Sequence, residues 1–417
     1  MATIPSITYG DNLWRMAKIQ KQRSVCLITP GHLASDPRLI KEARALSAAN
    51  FKVHLVFTQY MTYLVAYDKI ILNHNPEWTY EVLDWTGNSF RSKLNRLRSK
   101  LFEFLRGNNK IPLNRNHNWL LKKAMAHICD LYIAHNLGAL PIAVLAAKKN
   151  NTKCGFDAED FHRFEMSDDI NSASVKHKIA IENHYVPQLD HFTASSPLIA
   201  LAYSRLYNRW ITCILNTFPR VPKRNVVGNT DNPLQLFWFS QTVGANRGIE
   251  TIIRGIGKSQ IRIELHLLGD ANNEYKERLE SMITADAPLC KVHFHKPVQA
   301  DIIFELACQY DIGLAAETPF PLNRNICLTN KLFTYIQSGL AVIASDTTAQ
   351  KDFLDQFPKA GILYRNDDEF ADALKVYQTN RKLLLQTKEH NYLTGQHSLN
   401  WEIEKTKFLD AIFNSLN

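Results

Sequence analysis

SVCLITPGHLASDPRLIKEARALSAANFKVHLVF, residues Ser24–Phe57, decides the fold. Ser24–Ile28 is a short apolar run that ends in Thr29-Pro30-Gly31, a strand closed by a turn. From Pro37 to Ala49 the apolar residues Leu39, Ile40, Ala43 and Leu46 fall at helical spacing. Val53–Phe57 is a second apolar run. Strand, helix and strand in this order make a βαβ unit, which requires a parallel sheet and a right-handed crossover.

The same alternation continues. Strands are expected at Leu131–Ala134, Cys154–Ala158 and Phe192–Ala194, with helices between them. Leu215–Pro233 (LNTFPRVPKRNVVGNTDNP) is rich in Pro, Asn and Gly, has no sustained period, and reads as a linker. After it the alternation restarts, with strands expected at Leu234–Phe239, Arg262–Leu268, Val292–His295, Ile312–Ala316, Ala341–Ala344 and Gly361–Tyr364. The expected architecture is α/β: two Rossmann-like, doubly wound parallel-sheet domains, residues 1–215 and 233–390, joined by a linker over 216–232. Ligands of such sheets lie beyond the carboxyl ends of the strands, so the cleft between the domains is the expected site.

The bulk properties agree. A chain of 417 residues is too long for one core of ordinary size. A hydrophobic fraction of 45% with 21% charged residues excludes disordered and fibrous classes. The longest apolar run, Leu137–Ala147, is too short to cross a bilayer, and Met1–Arg23 contains no signal-peptide core. The seven cysteines are scattered without a Cys-x-x-Cys pair, which points to reduced thiols in the cytoplasm and argues against zinc. Charge is uneven: residues 1–210 carry +10 and the remainder −1. An anionic membrane surface, an anionic acceptor or a nucleic acid fits the basic half, and so does a solubility surface.

Two stretches are built for anions. In Trp238–Glu250 (WFSQTVGANRGIE) a strand ends, a small polar loop follows, and a helix begins near Arg247-Gly248. Free N–H groups, the helix dipole and Arg247 together suit phosphate, with Ser240, Gln241 and Thr242 as further donors. An ordinary βα loop with a surface arginine fits the same residues. In LTNKLFTYIQSGLAVIASDT, residues Leu328–Thr347, Thr329 is placed to cap a helix that begins near Asn330. Lys331 in its first turn opposes the helix dipole unless an anion sits between them. A lysine reaching out to solvent is the alternative, at a cost of only tenths of a kcal/mol.

RLIKEARALSAANFKVHLV, QTVGANRGIETII and TNKLFTYIQSGLAVIAS, in this order and spacing, resemble the glycogen-synthase-like glycosyltransferases (glycosyltransferase group 1 / family 4) of the GT-B fold. The similarity runs from about Val25 to the C-terminal helix. It implies an acceptor-binding first domain, a second domain that binds a nucleoside-diphosphate sugar, and a C-terminal helix over 391–417 that packs back toward the first. It implies sugar transfer to a glycan or lipid-linked acceptor hydroxyl, with retention, in cell-surface polysaccharide synthesis. No cofactor and no metal are expected, and no Asp-x-Asp motif is present. The family's loop cation falls on Arg247 and its phosphate-binding lysine on Lys331.

The sequence departs from the family at one point. Two glutamates about eight positions apart usually precede the Gly-x-Pro/Ala-Val stretch, the second contacting the donor ribose. Here those places are Ile326 and Thr334, and Glu317 is the nearest acid able to face the donor.

In the first domain the resemblance places Gly31 and His32 under the donor sugar. It matches His135 to a cleft histidine and makes FDAEDFHRFE a cleft loop in which Asp160 or Glu159 faces a substrate. His135 and Asp160 are the candidates for orienting reactive hydroxyls. A lone histidine after a strand also fits a hydrogen-bonded structural role, and Asp157, Glu159, Asp160, His162 and Glu165 by composition also fit a metal cluster. Residues 90–110 (FRSKLNRLRSKLFEFLRGNNK) place Phe90, Leu94, Leu97, Leu101 and Leu105 on one face of a basic helix. Such a helix suits the anionic inner face of a membrane, or packs on its own domain. No motif for nucleic acid is present. The rivals are a non-catalytic GT-B scaffold subunit, suggested by the missing glutamates, and a nucleotide-sugar epimerase. A nicotinamide dehydrogenase lacks support because TPGHLASD has no Gly-x-Gly-x-x-Gly.

Overall fold

The computed structural model describes residues 22–87, 92–94, 97–98, 101, 113–222, 233–245, 247–298 and 300–417. It contains two parallel sheets. The first holds β1 (Ser24–Ile28), β2 (Lys52–Gln59), β3 (Thr79–Asp84), β4 (Leu131–His135), β5 (Lys153–Ala158), β6 (His191–Ala194) and β7 (Thr212–Cys213) in the order β3-β2-β1-β4-β5-β6-β7. The second holds β8 (Leu234–Thr242), β9 (Ile263–Asp270), β10 (Cys290–His295), β11 (Ile312–Ala315), β12 (Ala341–Ser345) and β13 (Gly361–Tyr364) in the order β10-β9-β8-β11-β12-β13. Each order reverses once, between β1 and β4 and between β8 and β11, and these switch points open ligand crevices at the carboxyl ends.

The central strands are buried on both faces, which is why they read as unbroken apolar runs: β1 is SVCLI and β12 is AVIAS. The strands missed in the sequence lie at the edges. Both outward-facing and polar residues occupy β3 (TYEVLD), and β7 has only two residues, so neither carries a core-strand pattern. The helix after β1 spans Pro37–Ala48, with Asp36 accepting from the Leu39 N–H and Pro37 at its first position.

The last helix, Trp401–Leu416, lays Trp401, Phe408 and Ile412 against Val25, Leu27 and Leu46 of the first domain. The chain thus ends on the domain in which it began. Of the expected linker, residues 223–232 lie outside the described residues, as does most of the basic 90–110 segment. Within the latter, residues 92–94, 97–98 and 101 are helical, with Leu94, Leu97 and Leu101 exposed.

Candidate active site

On the second domain, β8 ends at the exposed Thr242, and the chain turns through Arg247 and Gly248 into the helix Ile249–Ser259. Gly248 stands at the helix N-cap with φ +78°, a left-handed value that glycine adopts without strain. A Cβ there would lie 3.1 Å from the Cβ of Ala316, just beyond β11. The Arg247 loop therefore packs on the residue before Glu317. From the other side the helix Asn330–Ser338 brings Lys331, whose Nζ donates to Glu317 Oε1 at 2.6 Å and lies 5.5 Å from the Trp238 ring centre. Glu317 is fixed in turn, its N–H donating to Ser345 Oγ and its carbonyl accepting from the same hydroxyl. Sequence separates Arg247, Glu317 and Lys331 widely; the carboxyl ends of β8 and β11 bring their segments to one place. Among the described residues Arg247 has no ion-pair partner.

Thr329 occupies the N-cap of the Asn330–Ser338 helix, yet its side chain makes no capping hydrogen bond, contrary to the expected cap. Asn330 is exposed and its Oδ1 accepts from Asn216 Nδ2 at 2.9 Å, tying this helix to the chain between the domains. Thr334 is 2% exposed. Ile326 is packed into the core of the first domain, beside Phe161 and Tyr203. The two positions that would bear the family's glutamates are thus both buried, one as an interdomain apolar contact.

The short helix Leu322–Ile326 forms the seam. Asn323 accepts from the Phe161 N–H at 2.7 Å and donates to Asp160 Oδ1 at 2.8 Å. Asp168 accepts from the Leu322 N–H, and Ser196 Oγ from the Leu328 N–H. Burial pushes the Asp160 carboxyl upward, and one of its oxygens is committed to Asn323.

In the first domain the geometry places two of the expected site residues in the interior. His32 was expected beneath the donor sugar. It is fully buried, with Nδ1 2.6 Å from Asp68 Oδ2 and Nε2 accepting from the N–H groups of Tyr60 and Met61 at 2.8 Å each. Both nitrogens are spent bracketing the β1 loop to the segment after β2, so His32 has none left for a ligand. Gly31 has an ordinary neighbour only, Ser35 Oγ, 3.6 Å from where a Cβ would stand.

His135 was expected to touch a substrate. It too is fully buried, at the centre of Asp36, Glu42, Asp157 and Glu159. Its Nε2 lies 3.3 Å from Glu42, and its Nδ1 lies 3.7 Å from Asp157 and 3.8 Å from Glu159. Burial works against the imidazolium, but Glu42, Glu159 and Asp36 outweigh it and hold the pKa well above the usual range. Arg38 completes the cluster, donating to Asp157 at 2.5 and 2.8 Å and to the Ile214 carbonyl at 2.6 Å.

Sequence reasoning missed a pocket of about 300 Å³ at the carboxyl ends of β1, β4 and β5, whose lining includes Tyr60, Trp85, Arg115, Asn136, Glu165 and Lys178. Trp85, Asn114 and His162 are among the lining residues, and Trp85 Nε1, Asn114 Nδ2 and His162 Nε2 are buried without hydrogen-bond partners. Arg115 lies over the Trp85 ring at 4.9 Å, and Lys178 pairs with Glu165 at 3.0 Å. Aromatic faces with unsatisfied planar donors are what a sugar ring uses. The lining comes from seven separate segments, so no local motif announced it.

The fold has close counterparts among solved structures. HepE from Anabaena, in complex with UDP and glucose, superimposes with a TM-score of 0.67 at 13% identity over 94% of this chain and 100% of that one. Sucrose-phosphate synthase from Thermosynechococcus elongatus gives 0.64 at 15% identity, covering 95% and 99%. The chain has the GT-B glycosyltransferase fold. A single-residue mutant of TarM from S. aureus, in complex with fondaparinux, α-GlcNAc-glycerol and UDP, gives 0.62 at 11% identity, covering 95% and 100%. Residues 247–406, the greater part of the second domain of this GT-B chain, match the glycosyl transferase-like family. No curated protein matches the sequence.

Proposed function

We propose that this GT-B protein is a glycosyltransferase that moves a sugar from a nucleoside-diphosphate sugar to a hydroxyl of a glycan or lipid-linked acceptor. The observation that carries the reading is the meeting of the Arg247 loop, the Glu317–Lys331 pair and two helix N-termini at the carboxyl ends of β8 and β11. Cations and free N–H groups there are suited to a leaving diphosphate. The UDP and UDP-glucose complexes of the structurally similar HepE agree with it.

Donor phosphate draws Lys331 from Glu317, which then accepts a donor hydroxyl in place of the missing ribose glutamate. Arg247 and the Ile249 helix neutralise charge that develops on the diphosphate while positive charge builds on the sugar ring. Asp160, at the domain seam, orients the acceptor hydroxyl. His135 works as a positioning residue through Glu159. The acceptor sugar rests in the Trp85 pocket. Transfer proceeds with retention, without a metal, in surface-polysaccharide synthesis at the cytoplasmic face of a membrane. There the basic half and the exposed Leu94, Leu97 and Leu101 meet anionic lipid. No helix among the described residues is long and apolar enough to cross that membrane.

Calorimetry with UDP, GDP, ADP and TDP tests the donor site. One nucleotide should bind, and Arg247→Ala and Lys331→Ala should each weaken it about tenfold or more, the loss of about 1.5–3 kcal/mol for a charge-assisted contact. Absence of binding to all four would remove the donor reading.

A further inference from the structure

A second polar cluster lies on the same domain, away from the cleft. Two strand patterns supply it: Glu264-x-His266 in β9 and His293-x-His295 in β10. Alternate residues of a strand share a face. The parallel register sets His293 opposite His266, and Gln235 of β8 opposite Glu264. Gln235 and Glu264 sit near the starts of their strands, whereas the donor site lies beyond the ends.

The distances suit a small cation. His293 Nε2 is 3.2 Å and His266 Nε2 3.9 Å from the same oxygen, Glu264 Oε2, and Gln235 Oε1 is 2.8 Å from His266 Nε2. Bonds of about 2.0–2.1 Å in a tetrahedron place ligand atoms about 3.3 Å apart, in the middle of these values. His293 Nε2 is buried and has no hydrogen bond despite its nearness to the carboxylate. His295 Nε2 lies 3.0 Å from His266 Nδ1. Here His266 Nε2–H donates to Gln235 Oε1; a cation between those two atoms replaces that proton, and Nδ1–H then donates to His295, the outer-shell arrangement typical of metal-bound histidine.

We propose that Glu264, His266 and His293 form a Zn²⁺ site, with Gln235 Oε1 in the fourth position and His295 orienting His266. Imidazole and carboxylate ligands favour zinc over calcium or magnesium. Because β10 is the outermost strand of its sheet, the ion staples an edge and takes no part in transfer. This departs from the expectation of no metal, which rested on the scattered cysteines, the family resemblance and the missing Asp-x-Asp motif; these ligands are mainly histidines on neighbouring strands.

The full-length protein, stripped with EDTA and titrated with ZnCl₂ against a chromophoric chelator, should bind one ion at this site. Its melting temperature should rise with zinc, and Co²⁺ should give the absorption of a tetrahedral centre. Glu264→Gln, which keeps the side-chain shape, and the His266→Ala/His293→Ala pair should each abolish these signals. His295→Ala should weaken binding roughly 10–100-fold. Melting curves without zinc establish that each variant is folded, and Glu264→Gln decides the matter if the double variant is not. Zinc binding that survives in Glu264→Gln, or weak binding without defined stoichiometry in the unaltered protein, overturns the proposal.

Discussion

Arg38 holds the floor of the first domain together. It is 1% exposed and faces Asp157 and Glu42, both fully buried. The exposed Arg365–Glu369 pair has a similar separation, 3.2 Å, but water screens it, and such pairs contribute at most about 1 kcal/mol. Removing Arg38 is different in kind, because two buried carboxylates would lose its paired bonds and keep only His135 as a cation. We expect Arg38→Met to lower stability in urea by about 3–5 kcal/mol. Arg38→Lys should recover little, since one ammonium cannot reproduce the paired bonds to Asp157. A loss under about 1 kcal/mol would mean that the cluster neutralises itself by proton uptake. Glu42 and Asp36 already lean that way: burial, reinforced by neighbouring carboxylates, raises both.

At the scale of elements, the helix Leu322–Ile326 decides how the domains meet. Its length of five residues gives it little stability of its own, so its position rests on what it touches. Leu322 and Ile326 supply apolar contact with the first domain, and Asn323 satisfies a backbone N–H and a carboxylate there. Restoring the family's acid with Ile326→Glu should therefore harm the protein. The carboxylate would enter an apolar core without a partner, at an expected cost of at least about 3 kcal/mol in chemical denaturation, and donor affinity should not improve. A stable variant with tighter nucleotide binding would show that this seam opens when the donor arrives.

For the whole molecule, acid stability is set by histidines kept neutral in the interior. Burial pushes His191 down to about 4, and burial with the stacked His127 at 3.6 Å takes His54 to about 4 as well. Both titrate near 6.5 in the unfolded chain. Between these values the unfolded state binds protons that the folded state does not, so stability falls as pH drops from about 6.5 to about 4. For His191 the fall from 6.5 to about 4 corresponds to about 3 kcal/mol, and His54, also buried, adds a loss in the same direction. Glu165, drawn to about 2 by His162 and Lys178 against its own burial, adds a loss only below about 4.5. His135 acts oppositely: its raised pKa contributes stability below 6.5 that disappears at higher pH. Urea midpoints measured from pH 7 to 4 should decline, and His191→Leu should flatten that decline. An unchanged slope in His191→Leu would place the acid sensitivity elsewhere.

Sequence by itself determined the doubly wound, two-domain architecture. Buried parallel strands must be continuously apolar and their crossovers must be helical, so β1, β12 and the helix after Asp36 announce themselves locally. It also marked Arg247 and Lys331, because a cation beside a helix N-terminus needs an anion to explain it. Tertiary structure alone decided which of the candidate side chains are taken up by partners inside the protein. Gly31-His32 and His135 follow strands in the right places, yet His32 and His135 are buried among partners from α-helices and loops far along the chain. The Trp85 pocket and the His266–His293 cluster likewise gather residues whose nearness depends on strand order and register. Those are long-range properties, fixed when whole faces pack together, and no short window of sequence contains them.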